Sequence, residues 1–159
     1  MRVALAADHA GYALKERLRA HLGSRGHEVL DLGAHDASPS DYPDHALAAG
    51  LAIVDGRAER AILVCGSGVG AAVAANKISG VRAGICHDHY SAHQGVEHDD
   101  MNVLALGALV VAEALALELA ETFLAARFDG EERHARRLAK VRALEARSTG
   151  GRARGESTS

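Results

Sequence analysis

Five short apolar runs, Arg2 to Ala7, Glu28 to Gly33, Arg60 to Val64, Val81 to Cys86 and Asn102 to Gly107, recur along the chain with helix-forming stretches between them. Runs of this length, rich in Val, Ile, Leu and Ala, read as strands buried on both faces. Strands alternating with helices leave few folds open. The expected fold is an α/β, Rossmann-like three-layer α/β/α domain built on a five-stranded parallel sheet. Ligands of such sheets bind beyond the carboxyl ends of the strands, so residues that follow strands are the first candidates for a site.

The stretches between the runs have the expected signals. Leu14, Leu18 and Leu22, with Lys15, Arg17 and Arg19 between them, form an amphipathic helix that Gly26 closes. Asp41 is placed to cap a helix from about Tyr42 to Val54 whose first turn holds Pro43. Further helices are expected from Tyr90 to Glu97, from Ala112 to Leu124 and from about Gly130 to Ala146. The folded domain is expected to span 1–147. The Ser/Gly/Arg-rich stretch 148–159 reads as a disordered tail.

The third run ends in Cys65-Gly66-Ser67-Gly68-Val69-Gly70, followed by the helix-forming stretch Ala71 to Lys77. Three glycines in five positions let the backbone turn tightly and bring its N–H groups to a ligand, so the turn suits an anion. The thiol at its entrance stands where thiolate chemistry is accessible. Two other readings share these residues. Strand-ending cysteines are often plain buried hydrophobes. Gly66-x-Gly68-x-x-Ala71, with Asp88 further on, also fits a loose dinucleotide fingerprint.

Other polar groups carry similar pairs of readings. Asp8-His9 follows the first strand as a helix cap or as a ligand-binding pair. Arg133 and Arg137 are one helical turn apart and can converge on one phosphate, or form a solvated basic face. Of His87, His89, His93 and His98, the second and third can share a helix face, but no third and fourth ligand is evident, so no metal is assigned. His98 is either a general acid or base or an exposed loop histidine.

A net charge of −3 argues against general nucleic-acid binding. Two cysteines, Cys65 and Cys86, suggest no disulfide framework and point to a reducing cytoplasm. An acid at position 8 comes too early for a signal peptide, and no apolar run reaches the roughly 18 residues of a membrane span.

The combination Asp8-His9-Ala10-Gly11, Cys65 to Gly70, Ala74-Ala75-Asn76-Lys77, Tyr90-Ser91-Ala92, His98-x3-Asn102-Val103-Leu104 and Arg133-His134-x2-Arg137 resembles the type B ribose-5-phosphate isomerases and the related allose- and galactose-6-phosphate isomerases. The resemblance covers roughly residues 1–146. It implies a cofactor-free aldose–ketose isomerase of phosphorylated sugars, a homodimer or dimer of dimers whose sites are built from both subunits. By that resemblance Cys65 is the base, and Gly66, Ser67, Gly68, Val69 and Gly70 form the anion hole. His98 opens the sugar ring, Asp8 binds sugar hydroxyls, and His9, Arg133 and Arg137 hold the phosphate. Asp99 stands in the substrate-binding position where the ribose-5-phosphate enzymes typically carry Asn, and Leu109 where many members have a phosphate-contacting Arg.

Overall fold

A computed structural model describes residues 1–150 of the chain, with side chains through 147. The order of elements is β1 (Arg2–Ala7), α1 (Tyr12–Ser24), β2 (Glu28–Asp31), α2 (Tyr42–Val54), β3 (Arg60–Cys65), α3 (Val69–Ala75), β4 (Ala83–Ile85), α4 (His89–Asp99), β5 (Val103–Gly107), α5 (Glu113–Ala125) and α6 (Glu132–Gly150). The five strands form one parallel sheet in the order β2-β1-β3-β5-β4. The expected α/β three-layer fold is therefore present. Helix α4 is longer than expected at both ends. Helix α6 starts two residues late and runs through Gly150, into the segment expected to be a tail, while residues 151–159 lie outside the described residues.

Alternation along each strand sends side chains to two different cores. Val3, Leu5, Ile62, Val64, Leu104 and Leu106 pack under α1, α4 and α5, whose Leu18, Val96, Leu119 and Phe123 are fully buried. On the other face Ala4, Ala6, Ala61, Leu63 and Cys65 meet Ala46, Ala49 and Ala52 of α2 and Ala71 and Ala75 of α3. This second core is mostly alanine, so α2 and α3 lie close against the strands and bring the start of α3 directly over the end of β3.

Two local expectations are corrected. Asp41 does stand at the N-cap of α2, but its side chain makes no capping hydrogen bond. Lys15, expected among the polar residues of α1, is completely buried. Its Nζ lies 2.7 Å from Asp31 and 2.9 Å from Glu16, and 5.7 Å from the centre of the Tyr12 ring. The ammonium pins α1 to the end of β2, where the Asp31 carboxylate also accepts the Gly33 N–H. Lys15→Met is expected to destabilise the fold by about 2–3 kcal/mol, at the low end for breaking a buried ion pair because both carboxylates keep some contact with water. Urea unfolding at pH 7 measures this, and an unchanged midpoint would refute it. Hydrogen bonds from Arg19 and then Lys15 hold the Glu16 carboxyl at about 2, well below its ordinary value. Because the folded value is the depressed one, this contribution is complete above about pH 4.5 and is lost as the pH falls toward 2.

Candidate active site

The sheet changes direction at β1, since β2 lies on one side of it and β3 on the other. The crevice outside the carboxyl ends of β1 and β3 is the topological switch point where such folds bind ligands. Asp8 and the Cys65 to Gly70 loop sit at its two walls. The Asp8 N–H reaches the Val64 carbonyl at 3.3 Å, and a Cβ on Gly11 would lie 2.4 Å from the same oxygen, so the turn after β1 closes directly onto β3. Asp8 is buried, and its carboxylate accepts the Gly11 N–H at 3.0 Å.

Cys65 is 4% exposed at the floor of this crevice. Its Sγ accepts the N–H of Gly68 at 3.1 Å, and Ser67 Oγ accepts that of Val69 at 3.2 Å. Gly68 turns with a φ of 82°, where an L side chain would be strained. Among the described residues the backbone N–H groups of Gly66, Ser67 and Gly70 have no hydrogen-bond partner. The loop is thus a set of free donors folded around one sulfur. Burial, with Asp88 adding to it, pushes the Cys86 thiol up to about 11, so that thiol stays protonated at neutral pH. Asp88 is no ribose-binding acid in this structure. Its carboxylate caps α4 by accepting the Ser91 N–H at 2.7 Å.

His9 follows Asp8 on the same rim. Its Nδ1 faces the Ser40 N–H at 3.2 Å and the Ser40 carbonyl at 3.1 Å, which draws the loop before α2 toward the crevice. Exposed apolar side chains ring the opening. Tyr42 packs against Gly70, Leu109 lies 3.6 Å from the Cβ position of Gly66 and is 85% exposed, and Val69, Val73 and Val110 are more than half exposed.

The remaining candidates lie at the other end of the sheet. In a parallel sheet a residue that precedes a strand sits at its amino end, and His98 and Asp99 precede β5. Gly107, at the carboxyl end of β5, pairs with Cys65, so the length of β5 alone separates the two groups by roughly 16 Å. Helix α6 is at that same amino end. Arg60, the first residue of β3, donates to the carbonyls of Phe123 and Ala126, and the Asp129 N–H reaches the Glu97 carbonyl at 3.1 Å. There the His98 and His134 rings stack with centroids 4.0 Å apart and planes 23° from parallel. His134 is 1% exposed, with Nδ1 2.8 Å from the Asp129 carboxylate. Arg133 and Arg137 project from α6 into solvent as a pair one turn apart, Arg133 touching Glu131 at 2.9 Å. Asp99 lines a groove of about 550 Å³ between β4, α4 and α6, which His98 does not line.

The four histidines singled out in the sequence do not converge. His87 accepts the Gly107 N–H, His89 faces Glu118, His93 faces Glu97, and His98 pairs with Gln94. A group that sequence spacing does not reveal, His98, Asp129 and His134, brings potential ligand atoms within 4.8 Å of one another. Its two rings lie face to face, whereas ligands of one ion aim their in-plane lone pairs at a common point.

Among the described residues no helix is long and apolar enough to cross a membrane. Residues 3–141 match the ribose/galactose isomerase family. Ribose-5-phosphate isomerase B of Escherichia coli (strain K12) is 41% identical over 146 residues, spanning 92% of this chain and 97% of that protein. The 4-deoxy-4-sulfo-D-erythrose isomerase of Clostridium sp. (strain MSTE9) is 40% identical over 129 residues, 80% of this chain and 81% of its own length. The solved structure of Clostridium thermocellum ribose-5-phosphate isomerase B superposes with a TM-score of 0.91 at 42% identity, covering 93% of this chain and 99% of that one. Alike in sequence and in fold over nearly its whole length, this chain belongs to the ribose/galactose isomerase family of sugar-phosphate isomerases.

Proposed function

We propose that the protein interconverts ribose 5-phosphate and ribulose 5-phosphate through an enediolate, without a cofactor, in the cytoplasm. The observation that carries this reading is the Cys65 thiol at the switch point, enclosed by a loop whose N–H groups of Gly66, Ser67 and Gly70 are free. In the first step the C1–O4 bond of the furanose breaks. The His98 ring gives a proton to the departing ring oxygen, and the O1 hydroxyl loses its proton to water, leaving an aldehyde. The Cys65 thiolate then takes the proton from C2. The electron pair left behind forms a C1–C2 double bond and places charge on O1, where preorganised N–H donors stabilise it. Return of that proton from Cys65 to C1, with transfer of the O2 proton to O1, gives the ketose and restores the thiolate. Asp8 binds sugar hydroxyls. His9, Arg133 and Arg137 bind the phosphate, which does not react but fixes the chain relative to the base.

Cys65 and His98 lie at opposite ends of one sheet, so this mechanism requires two copies of the chain. One supplies Asp8, His9 and the Cys65 loop, and its partner supplies His98, Arg133 and Arg137. A homodimer, alone or paired into a tetramer, meets that need. The exposed apolar residues Tyr42, Val69, Val73 and Val110 beside the crevice are the kind of surface a second copy would cover.

A second reading, a tetrose phosphate as the preferred substrate, is favoured by Leu109. An apolar side chain beside Gly66 offers no cation to a distant phosphate, and a relative is named for a four-carbon substrate. Proton exchange at C1 and C2, followed by NMR in heavy water, tests both. Fastest exchange with ribose 5-phosphate is expected among four- to six-carbon sugar phosphates. Fastest exchange with a tetrose phosphate would establish the second reading, and no exchange with any of them would refute both.

A further inference from the structure

The buried His134 and its partner Asp129, which is open to solvent, have no part in the steps above, yet the pair is built against the residue assigned to ring opening. Burying an imidazole to 1% exposure is costly unless its nitrogens find partners, and His134 Nδ1 has one in the Asp129 carboxylate, at 2.8 and 2.9 Å from the two oxygens. A carboxylate only accepts, so Nδ1 carries the proton and the ring plane is fixed. Asp129 is itself fixed, because it accepts the Glu131 N–H at 2.9 Å and its own N–H is bound to the Glu97 carbonyl at 3.1 Å. That last bond ties the pair to α4 one residue before His98.

The face of His134 lies against the face of His98, at 4.0 Å and 23°. On the edge of His98, the side-chain amide nitrogen of Gln94 is 2.9 Å from Nδ1. An amide N–H donates, so Nδ1 accepts and the neutral ring holds its proton on Nε2, the form that can give a proton to a furanose oxygen. Gln94 fixes the tautomer by a single bond, about which the ring is still free to tilt. Contact over a whole ring face removes that freedom.

We infer that Asp129 and His134 are positioning residues that hold the plane of the His98 imidazole for the ring-opening step, and that they take no part in the enediolate step. The inference rests on the assignment of ring opening to His98. It differs from a purely structural role in what it leaves untouched. Ribulose 5-phosphate cannot close a furanose ring, because its O5 carries the phosphate. Exchange of its C1 hydrogens with heavy water therefore reports the enediolate step alone, whereas turnover of ribose 5-phosphate includes ring opening.

Asp129→Ala and His134→Asn are expected to lower kcat for ribose 5-phosphate about tenfold, a part of the roughly 10²–10⁴-fold that a well-positioned acid contributes. The same variants should exchange the C1 hydrogens of ribulose 5-phosphate at the wild-type rate. Asp129→Asn, whose amide oxygen still accepts from Nδ1, should recover most of the lost turnover. Loss of exchange in parallel with turnover would reduce the pair to packing residues, and unimpaired turnover in both loss variants would overturn the inference outright. Exchange by the wild type together with wild-type turnover in His98→Ala would instead remove the ring-opening assignment, and the inference with it. No exchange by the wild type itself would refute the proposed function.

Discussion

Cys65→Ala is expected to lower turnover of ribose 5-phosphate about 10³-fold, in the range typical of a lost general base and equivalent to roughly 4 kcal/mol of barrier. The thiol is 4% exposed and its Sγ is the acceptor for the Gly68 N–H, so the substitution also removes a packing atom and leaves a buried donor unpaired. Those losses cost about 1–2 kcal/mol of stability, too little to unfold an ordinary domain. Cys65→Ser separates the two effects, because a hydroxyl keeps an acceptor near the Gly68 N–H but is a far poorer base near neutral pH. Thermal unfolding should place the Ser variant closer to wild type than the Ala variant, while both stay inactive in a coupled isomerase assay. Turnover of Cys65→Ala within tenfold of wild type, with the fold intact, would make the thiol a packing residue and place the base elsewhere.

Parts of this arrangement are legible in the amino-acid sequence. The inner strands β1, β3 and β5 are runs of Val, Ile, Leu and Ala made continuous by burial on both faces, the edge strands β2 and β4 are partly exposed, and each of the five apolar runs overlaps a strand of the sheet. Cys65 ends a strand and Asp8 and His9 follow one directly, and a parallel sheet brings all such positions to one rim. Lys15 escapes such a reading because a helical pattern shows which positions are apolar, not which charge finds a carboxylate waiting at the end of a neighbouring strand. The His98–His134 stack is hidden for a related reason. It joins two helices far apart in sequence, and what brings them together is the loop 126–131, whose backbone and Asp129 are bound to β3 and α4. Asp88 illustrates the reverse case, where a motif-like spacing has a local cause: the acid caps the helix that begins one residue later.

Mixing two inactive variants should restore activity, and this follows from the sheet alone. Cys65 closes β3 and His98 precedes β5, which is parallel to it and pairs Gly107 with Cys65, so no rotamer change brings the two side chains of one chain together. If each site joins Cys65 of one chain to His98 and Arg137 of another, Cys65→Ala and Arg137→Ala chains are each dead as homodimers. In a heterodimer one site collects both substitutions and the other collects neither. Random pairing makes half of the dimers heterodimers, and half of their sites are intact, so an equimolar mixture should recover about a quarter of wild-type activity. Arg137 suits the experiment because it is exposed on α6 and makes no ion pair among the described residues, so its removal leaves no buried charge. Co-expression of the two chains with different affinity tags, followed by purification through both, isolates the heterodimer, which should run at about half the wild-type rate. No recovery in a heterodimer purified in this way would place all the functional groups of a site in one chain, and would therefore exclude either the Cys65 loop or the α6 arginines from it.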